Sequence, residues 1–125
     1  MGSINKNLAY NIITINRGDT YEFDLTINDD SLNGRYILQD DDVLYFGLMD
    51  PHQKFEDALL RKRYTKDDCD EGGNLNIQIR PEDTIDLLPG VYYYSIKLHR
   101  MKNTETEFID KVITIINKTK FVIND

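Results

Sequence analysis

Short segments in which every second residue is apolar constrain the fold of this chain more than any other feature of its sequence. In the segment 20–28, Tyr21, Phe23, Leu25 and Ile27 share one face of an extended chain, and polar side chains occupy the other face. A period of two residues is typical of a strand with one buried face. Further apolar segments of this kind stand at 12–15, 43–49, 74–79, 91–98, 106–116 and 121–123.

Turn-forming residues separate these segments. Gly, Pro, Asp and Asn cluster between them, for example at 17–19, 29–34, 40–42, 67–73 and 89–90. About seven to eight strands at this spacing predict an all-β fold, an antiparallel β-sandwich or barrel. The segment 43–49 is apolar throughout, which favours a central strand covered on both faces.

Two segments have local helical character. Phe55, Ala58 and Leu59 have helical spacing, although the residues from Arg61 onward are typical of a strand. The segment 81–84 reads Pro-Glu-Asp-Thr, with Pro at the first position and acidic residues near the amino end, as in a single helical turn.

The stretch 87–92 predicts a corner of the fold. Pro89 fixes one turn angle, Gly90 accepts a left-handed angle, and Tyr92 enters the next strand facing inward. In immunoglobulin-like sandwiches a Tyr at such a corner bonds its hydroxyl to upstream backbone. We therefore expect Pro89, Gly90 and Tyr92 to form a fold corner.

Charge and composition exclude several classes of function. The 125 residues include 22 Asp and Glu against 15 Lys and Arg, a net charge of -7, which argues against nucleic acid as a partner. The single Cys cannot form an internal disulfide. No apolar run approaches the ~18–20 residues that a membrane span needs. We expect one domain and no membrane contact.

The sequence contains no recognisable set of catalytic residues. No Ser stands in a nucleophile motif, and Cys69 lies in an acidic loop that raises the pKa of a thiol. His52 follows a turn proline, and His99 lies at a strand end. The sequence therefore predicts a protein that is not an enzyme and has no cofactor.

One loop approaches a calcium-binding pattern. Asp29, Ser31 and Asn33 precede Gly34, and Asp40 stands at the twelfth loop position. However, the flanking segments are strands, and the last ligand is Asp where Glu is typical. A polar hairpin loop without metal is the reading we favour.

Two features predict a surface for interaction. Arg61 and Arg63 project together from a strand with Lys62 opposite, toward an acidic partner or toward acidic loops of this chain. The alternative that we favour from charge alone is a face exposed to solvent without a partner. Tyr93 lies within three consecutive Tyr and suits an interface if it faces outward, or packs beneath a loop.

A series of motifs resembles a known family. They are Arg17-Gly18-Asp19-Thr20, VLYFG at 43–47, LRKRY at 60–64, GNLNI at 73–77, PEDT at 81–84 and LPGVYYYSIKL at 88–98. Together, from about residue 12 to residue 123, they resemble the amino-terminal immunoglobulin-like domain of phage upper baseplate proteins and related small virion proteins of tailed phages of gut bacteria.

The resemblance implies a non-enzymatic building block of a virus particle. We expect an N-terminal arm at 1–11, an antiparallel immunoglobulin-like β-sandwich at 12–117 and a C-terminal strand or arm at 118–125. The chain would be an adaptor or decoration subunit that docks on other capsid, tail or baseplate proteins and is repeated as a homo-oligomer or by symmetry. Its location would be the virion, after synthesis in the host cytoplasm.

A small carbohydrate-binding β-sandwich module is the alternative function. Such modules stack sugars on exposed aromatic rings, and Tyr10, Tyr36 or Tyr93 would have to be exposed and coplanar for this purpose.

Overall fold

Strands make up most of the structure, which is a computed structural model. It describes residues 4–5, 12–29, 34–101 and 109–125, with the backbone alone at 4–5, 28–29, 34–35, 101 and 109–111. The strands are β1 (Ile4–Asn5), β2 (Ile13–Asn16), β3 (Tyr21–Leu25), β4 (Ile27–Asp29), β5 (Gly34–Tyr36), β6 (Asp42–Met49), β7 (Leu60–Tyr64), β8 (Leu75–Ile79), β9 (Gly90–Met101) and β10 (Ile109–Asn124). The prediction of an all-β fold is confirmed.

Five of these strands form the largest sheet, in the order β2-β10-β9-β6-β7. The pairs β10–β9, β9–β6 and β6–β7 are antiparallel, as the sequence predicts. The pair β2–β10 is parallel, with Ile13 opposite Phe121, so the prediction of a purely antiparallel fold is wrong here. Parallel neighbours need a long connection. In this fold the whole chain between the two strands provides it.

The remaining strands form two smaller sheets. β3 pairs with β8 along its full length, and β4 lies between β1 and β5. Only Thr26 separates β3 from β4. The predicted alternation holds across both, because Leu25 and Ile27 are buried while Glu22 and Asp24 are exposed.

The inward side chains of all three sheets meet in a single apolar cluster. In β8 the buried members alternate with half-buried residues, as the period of two predicts. In contrast, β6 is buried without interruption from Phe46 to Met49, and β10 buries the adjacent residues Ile115 and Ile116. Tyr94 lies at the centre of the cluster. Its ring stacks on that of Phe46 at 5.8 Å between ring centres and meets that of Phe121 edge-on at 6.2 Å.

β10 is one long strand where the sequence predicts two. The register against β9 shifts between Thr114 and Ile116 and again between Ile116 and Thr119, so that irregularities absorb the extra residues. The polar tripeptide at 117–119 bonds to itself: the Lys118 N–H donates to the Asn117 side chain at 2.9 Å. Within β10, residues 119–123 pair with β9 and residues 121–124 pair with β2.

Both segments of helical character are short. The residues Phe55–Asp57 form a 3-10 turn, and Pro81–Thr84 forms the predicted helical turn, α1. α1 supports the turn between β2 and β3, because the Gly18 N–H donates to the buried Thr84 hydroxyl at 2.9 Å. No helix among the described residues has the length and apolar character that crossing a membrane requires.

The corner at 88–92 has the predicted hydrogen bond. The Tyr92 hydroxyl donates to the Leu88 carbonyl oxygen at 2.5 Å. Gly90 has a positive φ of 158°, a backbone conformation that L side chains rarely adopt, which favours glycine at this corner. β9 already begins at Gly90, which pairs with Ile123.

Asp42 is buried, although the sequence placed it in a polar turn. It is 2% exposed and begins β6. Its carboxylate accepts hydrogen bonds from the Tyr36 hydroxyl and from the Gln39 N–H, the latter at 2.9 Å, and lies 3.6 Å from Nε of Arg100. Tyr36 is itself only 6% exposed, so it lacks the exposure that a sugar-stacking platform would need at this position.

Candidate functional site

The side of the five-stranded sheet that faces away from the core carries a group of basic and aromatic side chains. Tyr45 of β6 lies opposite Arg63 of β7 and Lys97 of β9. Its neighbour on the same face of β6, Gly47, lies opposite Arg61 and Ser95. Directly opposite residues share a face of a sheet. The structure therefore brings Arg61 and Arg63 together, as predicted.

Aromatic rings contact two of these three cations, Arg61 and Lys97. The guanidinium carbon of Arg61 lies 4.9 Å from the ring centre of Tyr45 and 5.5 Å from that of Phe55. Nζ of Lys97 lies 4.8 Å from the Phe55 ring centre, and the His99 ring meets the Tyr45 ring at 4.9 Å. A cation this close to an aromatic face is attracted to it. We call Arg61, Arg63 and Lys97, with the rings of Tyr45, Phe55 and His99, the cationic face.

Gly47 allows Phe55 to join this face. A Cβ atom at Gly47 would lie 2.7 Å from the Phe55 ring, a distance that real Cβ atoms do not show. Because the position has no side chain, the ring packs directly on the sheet, where it is 8% exposed. The prediction that the segment 43–49 is covered on both faces is confirmed for Phe46 to Met49, whereas Val43 and Tyr45 are half-buried.

The cationic face carries no opposing charge. The outward positions of β6, β7 and β9 hold no Asp or Glu, although the chain has a net charge of -7. Among the described residues, Arg61, Arg63 and Lys97 form no ion pair, so the alternative in which Arg61 and Arg63 pair with acidic loops of this chain is not observed there. Other cations form the ion pairs: Arg17–Asp125, Lys62–Asp83, Lys66–Asp40 and Arg100–Asp42.

Tyr93 lies on the same side of the sheet, at the far end from His99. It is opposite Met49 and Lys120 and is half-buried, between the two alternatives that its sequence leaves open. Val91 is exposed two residues before Tyr93 on β9, and Val112 of β10 is exposed at the other end, opposite His99. The cationic face is thus continued by aromatic and aliphatic surface.

His99 titrates within a positively charged environment. Burial lowers the pKa of its imidazole, and the charges of Arg61 and Lys97 lower the pKa further. An unfolded chain takes up a proton at an ordinary His pKa of ~6.5, before the folded chain does. Stability from His99 is therefore complete above that pH and declines as the pH falls toward the lower pKa of the folded state.

We expect His99→Gln to remove this part of the acid sensitivity. Thermal unfolding should be compared for wild type and variant between about pH 7.5 and pH 5. The melting temperature of His99→Gln should fall less over this range. His52→Gln, at an exposed position in the turn after β6, is the matched control and should follow wild type. Identical pH profiles for the two variants would contradict the role of His99.

A polar cleft lies beside the cationic face, between the edge strands β7 and β8. It measures about 350 Å³ and is lined by Lys62, Arg63, Tyr64, Asn76, Gln78 and Arg80. Several of these groups are already bonded: Nζ of Lys62 lies 2.8 Å from Asp83. Burial raises the pKa of the Tyr64 hydroxyl here. Arg63 is the residue that the cleft shares with the cationic face.

The loop that approaches a calcium-binding pattern lies only partly within the described residues. Asp40 is exposed, and its carboxylate lies 3.1 Å from Nζ of Lys66. Ser31, Asn33 and the side chain of Asp29 lie outside the described residues. Within the described part of the chain, no three His, Cys, Asp or Glu side chains are grouped to hold a metal ion.

Cys69 has the unreactive character that the sequence predicts. Burial raises the pKa of its thiol, and the charges of Asp68 and Asp70 raise it further. A thiol in this environment remains protonated and is a poor nucleophile.

Four members of the cationic face are absent from the sequence-based site: Tyr45, Phe55, Lys97 and His99. The alternation at 91–98 places Lys97 on the same side as Tyr93, which is a usable signal. Tyr45 lies beside Arg61 and His99 because of the register of β6 against β7 and β9. No local sequence pattern predicts this register.

No protein-family model, no curated protein and no solved structure matches the chain. The resemblance to the immunoglobulin-like domain of phage upper baseplate proteins stays a prediction from the sequence motifs.

Proposed function

We propose that this chain is a non-enzymatic docking protein with an immunoglobulin-like β-sandwich fold. The Tyr92 hydroxyl on the Leu88 carbonyl supports this fold, since that bond is typical of the corner in immunoglobulin-like sandwiches. The single apolar cluster shared by the five-stranded sheet and the β3–β8 pair also supports two packed layers.

One observation carries the docking function: an acidic chain keeps Arg61, Arg63 and Lys97 together on one side of the sheet, without carboxylate partners among the described residues. Arg61 and Lys97 also lie against aromatic rings. Arg and Tyr are enriched at interfaces, where aromatic stacking reduces the entropy lost on binding. The complementary partner surface is acidic, because opposite potentials favour association.

We propose the particle of a tailed phage as the setting, in which the chain is an adaptor or decoration subunit docked on other virion proteins. This setting is supported by the sequence motifs that resemble small virion proteins. The carbohydrate-binding alternative has no comparable support, since Tyr36 is buried.

The test compares two double variants of equal net charge. Arg61→Glu with Arg63→Glu reverses the cationic face. Arg17→Glu with Lys66→Glu reverses two exposed cations elsewhere, whose surface ion pairs contribute about 0–1 kcal/mol each. Each tagged chain is produced during infection by a phage that encodes it, and gradient-purified particles are analysed by quantitative mass spectrometry.

We expect wild type and control in the particles, and the face-reversal variant reduced about tenfold, as loss of ~1.4 kcal/mol of binding free energy would produce. Equal incorporation of both variants would contradict docking through the cationic face. Absence of the wild-type chain from purified particles would contradict the virion setting.

A further inference from the structure

A second charged surface lies on the outward side of the β3–β8 pair. Glu22 and Asp24 are exposed there, opposite Gln78 and Asn76. The Asn76 amide donates to the Asp24 carboxylate at 3.0 Å, and the Gln78 amide donates to the Glu22 carboxylate at 3.3 Å. These neutral amides position the carboxylates without cancelling their charge. We call Glu22 and Asp24 the acidic face.

The acidic face and the cationic face have matching spacing. Glu22 and Asp24 are two residues apart on one side of β3, and Arg61 and Arg63 are two residues apart on one side of β7. Two residues along a strand span about 6.8 Å in both cases. A strand laid along another can therefore bring two carboxylates opposite two guanidinium groups.

Within one copy the two surfaces border the same cleft, which Arg63, Asn76 and Gln78 line, but no ion pair joins them among the described residues. Glu22 and Asp24 bond to amides of the neighbouring strand, and Arg61 stacks on rings of its own sheet. Neither Arg61 nor Arg63 forms an ion pair with a carboxylate among the described residues. The charges of both surfaces therefore stay available to a second molecule.

We propose that this second molecule is another copy of the chain, whose acidic face docks on the cationic face of the first. The proposal rests on the docking function above, because it uses the same cationic face and names its partner. Since the two faces are different surfaces, the contact is head-to-tail. Two joined copies then still have one free acidic face and one free cationic face. Such contacts extend into rings or filaments.

Salt dependence is the first expected property. Exposed ion pairs are individually weak and are screened by salt. The full chain should show a sedimentation coefficient that rises with protein concentration at about 0.05 M salt and becomes independent of concentration at about 1 M salt. A wild-type chain that stays monomeric at low salt over the whole concentration range would overturn the proposal.

Charge exchange between the faces is the decisive test. Arg61→Glu with Arg63→Glu gives a chain with two acidic faces, and Glu22→Lys with Asp24→Lys gives a chain with two cationic faces. We expect each variant alone to associate at least tenfold more weakly than wild type. An equimolar mixture should recover association, and so should the fourfold variant, which has the net charge of wild type.

The control variant Arg17→Glu with Lys66→Glu separates specific contact from general repulsion. Its net charge equals that of the chain with two acidic faces, and it should associate within about twofold of wild type, a difference far below one tenfold step. Thermal unfolding of every variant checks that the fold is kept.

Two outcomes overturn the proposal: a mixture that associates no better than its components, or a control that loses association equally. The proposed function fails separately, in the particle experiment. If the face-reversal variant is lost from particles while wild type never self-associates, the docking function stands and the identity of the partner is wrong.

Discussion

Replacing Asp42 with Ala is expected to lower the free energy of unfolding by about 2–4 kcal/mol, because it leaves polar partners without their acceptor. The carboxylate is 2% exposed and accepts hydrogen bonds from the Tyr36 hydroxyl and the Gln39 N–H. It also faces Arg100, whose side chain is 32% exposed and can regain water when the carboxylate is removed. Because Arg100 regains water, the loss of unfolding free energy should be smaller than that from breaking a fully buried ion pair.

Denaturant unfolding at neutral pH measures the effect. Asp41→Ala is the matched control, one residue earlier in the turn and half-buried, and it should change stability by about 0.5 kcal/mol or less. Asp42→Asn, which keeps one acceptor oxygen and loses the charge, should lie between the two. Equal stability of the Asp41 and Asp42 alanine variants would show that the buried carboxylate contributes nothing.

Tyr94→Ala is expected to cost about 3–5 kcal/mol, the usual range for truncating a buried aromatic side chain. The ring is 1% exposed and contacts Phe46 and Phe121 in the centre of the core. Aromatic pairs of this geometry contribute about 0.5–1.5 kcal/mol beyond the burial of area. Tyr94→Phe keeps the ring contacts and is the matched control. A loss from Tyr94→Ala as small as that from Tyr94→Phe would contradict this role of the ring.

The hydroxyl of Tyr94 gives a separate expectation at alkaline pH. Burial raises its pKa from 10.0 to about 12, so the unfolded chain loses this proton first. Stability should therefore fall as the pH rises from 10 toward 12, by at most about 3 kcal/mol for a shift of this size. Tyr94→Phe lacks this contribution, and its unfolding free energy should decline less steeply than that of wild type. Parallel declines would exclude Tyr94 as the source.

Where burial alternates along a strand, the sequence is sufficient to predict the strand and its buried face. In β3 and β8 each side chain faces the core or the solvent according to its parity, so the local pattern alone identifies the strand and its inward face. The hydrogen bond of Tyr92 could also be predicted, because Pro89 and the residues around it form a short sequence motif typical of such a corner. The same parity correctly separates Lys62 from Arg61 and Arg63 on β7.

Features that depend on residues distant in sequence cannot be predicted from the local pattern. Asp42 is one of three consecutive Asp residues. Its contacts with Tyr36 and Arg100 in the folded chain explain why it is the buried one. The two apolar segments of β10 look separate because the irregularities that join them are set by the register against β9. The stacking of Arg61 on Tyr45 likewise depends on how three strands align.

The parallel pairing of β2 with β10 has a consequence for how the chain reaches its native state. Paired residues such as Ile13 and Phe121 stand as far apart in sequence as Arg17 and Asp125, which are 108 residues apart. Sheets built from such distant contacts fold slowly, on the scale of milliseconds to seconds. Until β2 arrives, β10 presents an unpaired edge to other unfolded copies. The yield of refolding should therefore decrease with protein concentration, as intermolecular strand pairing competes with this last closure.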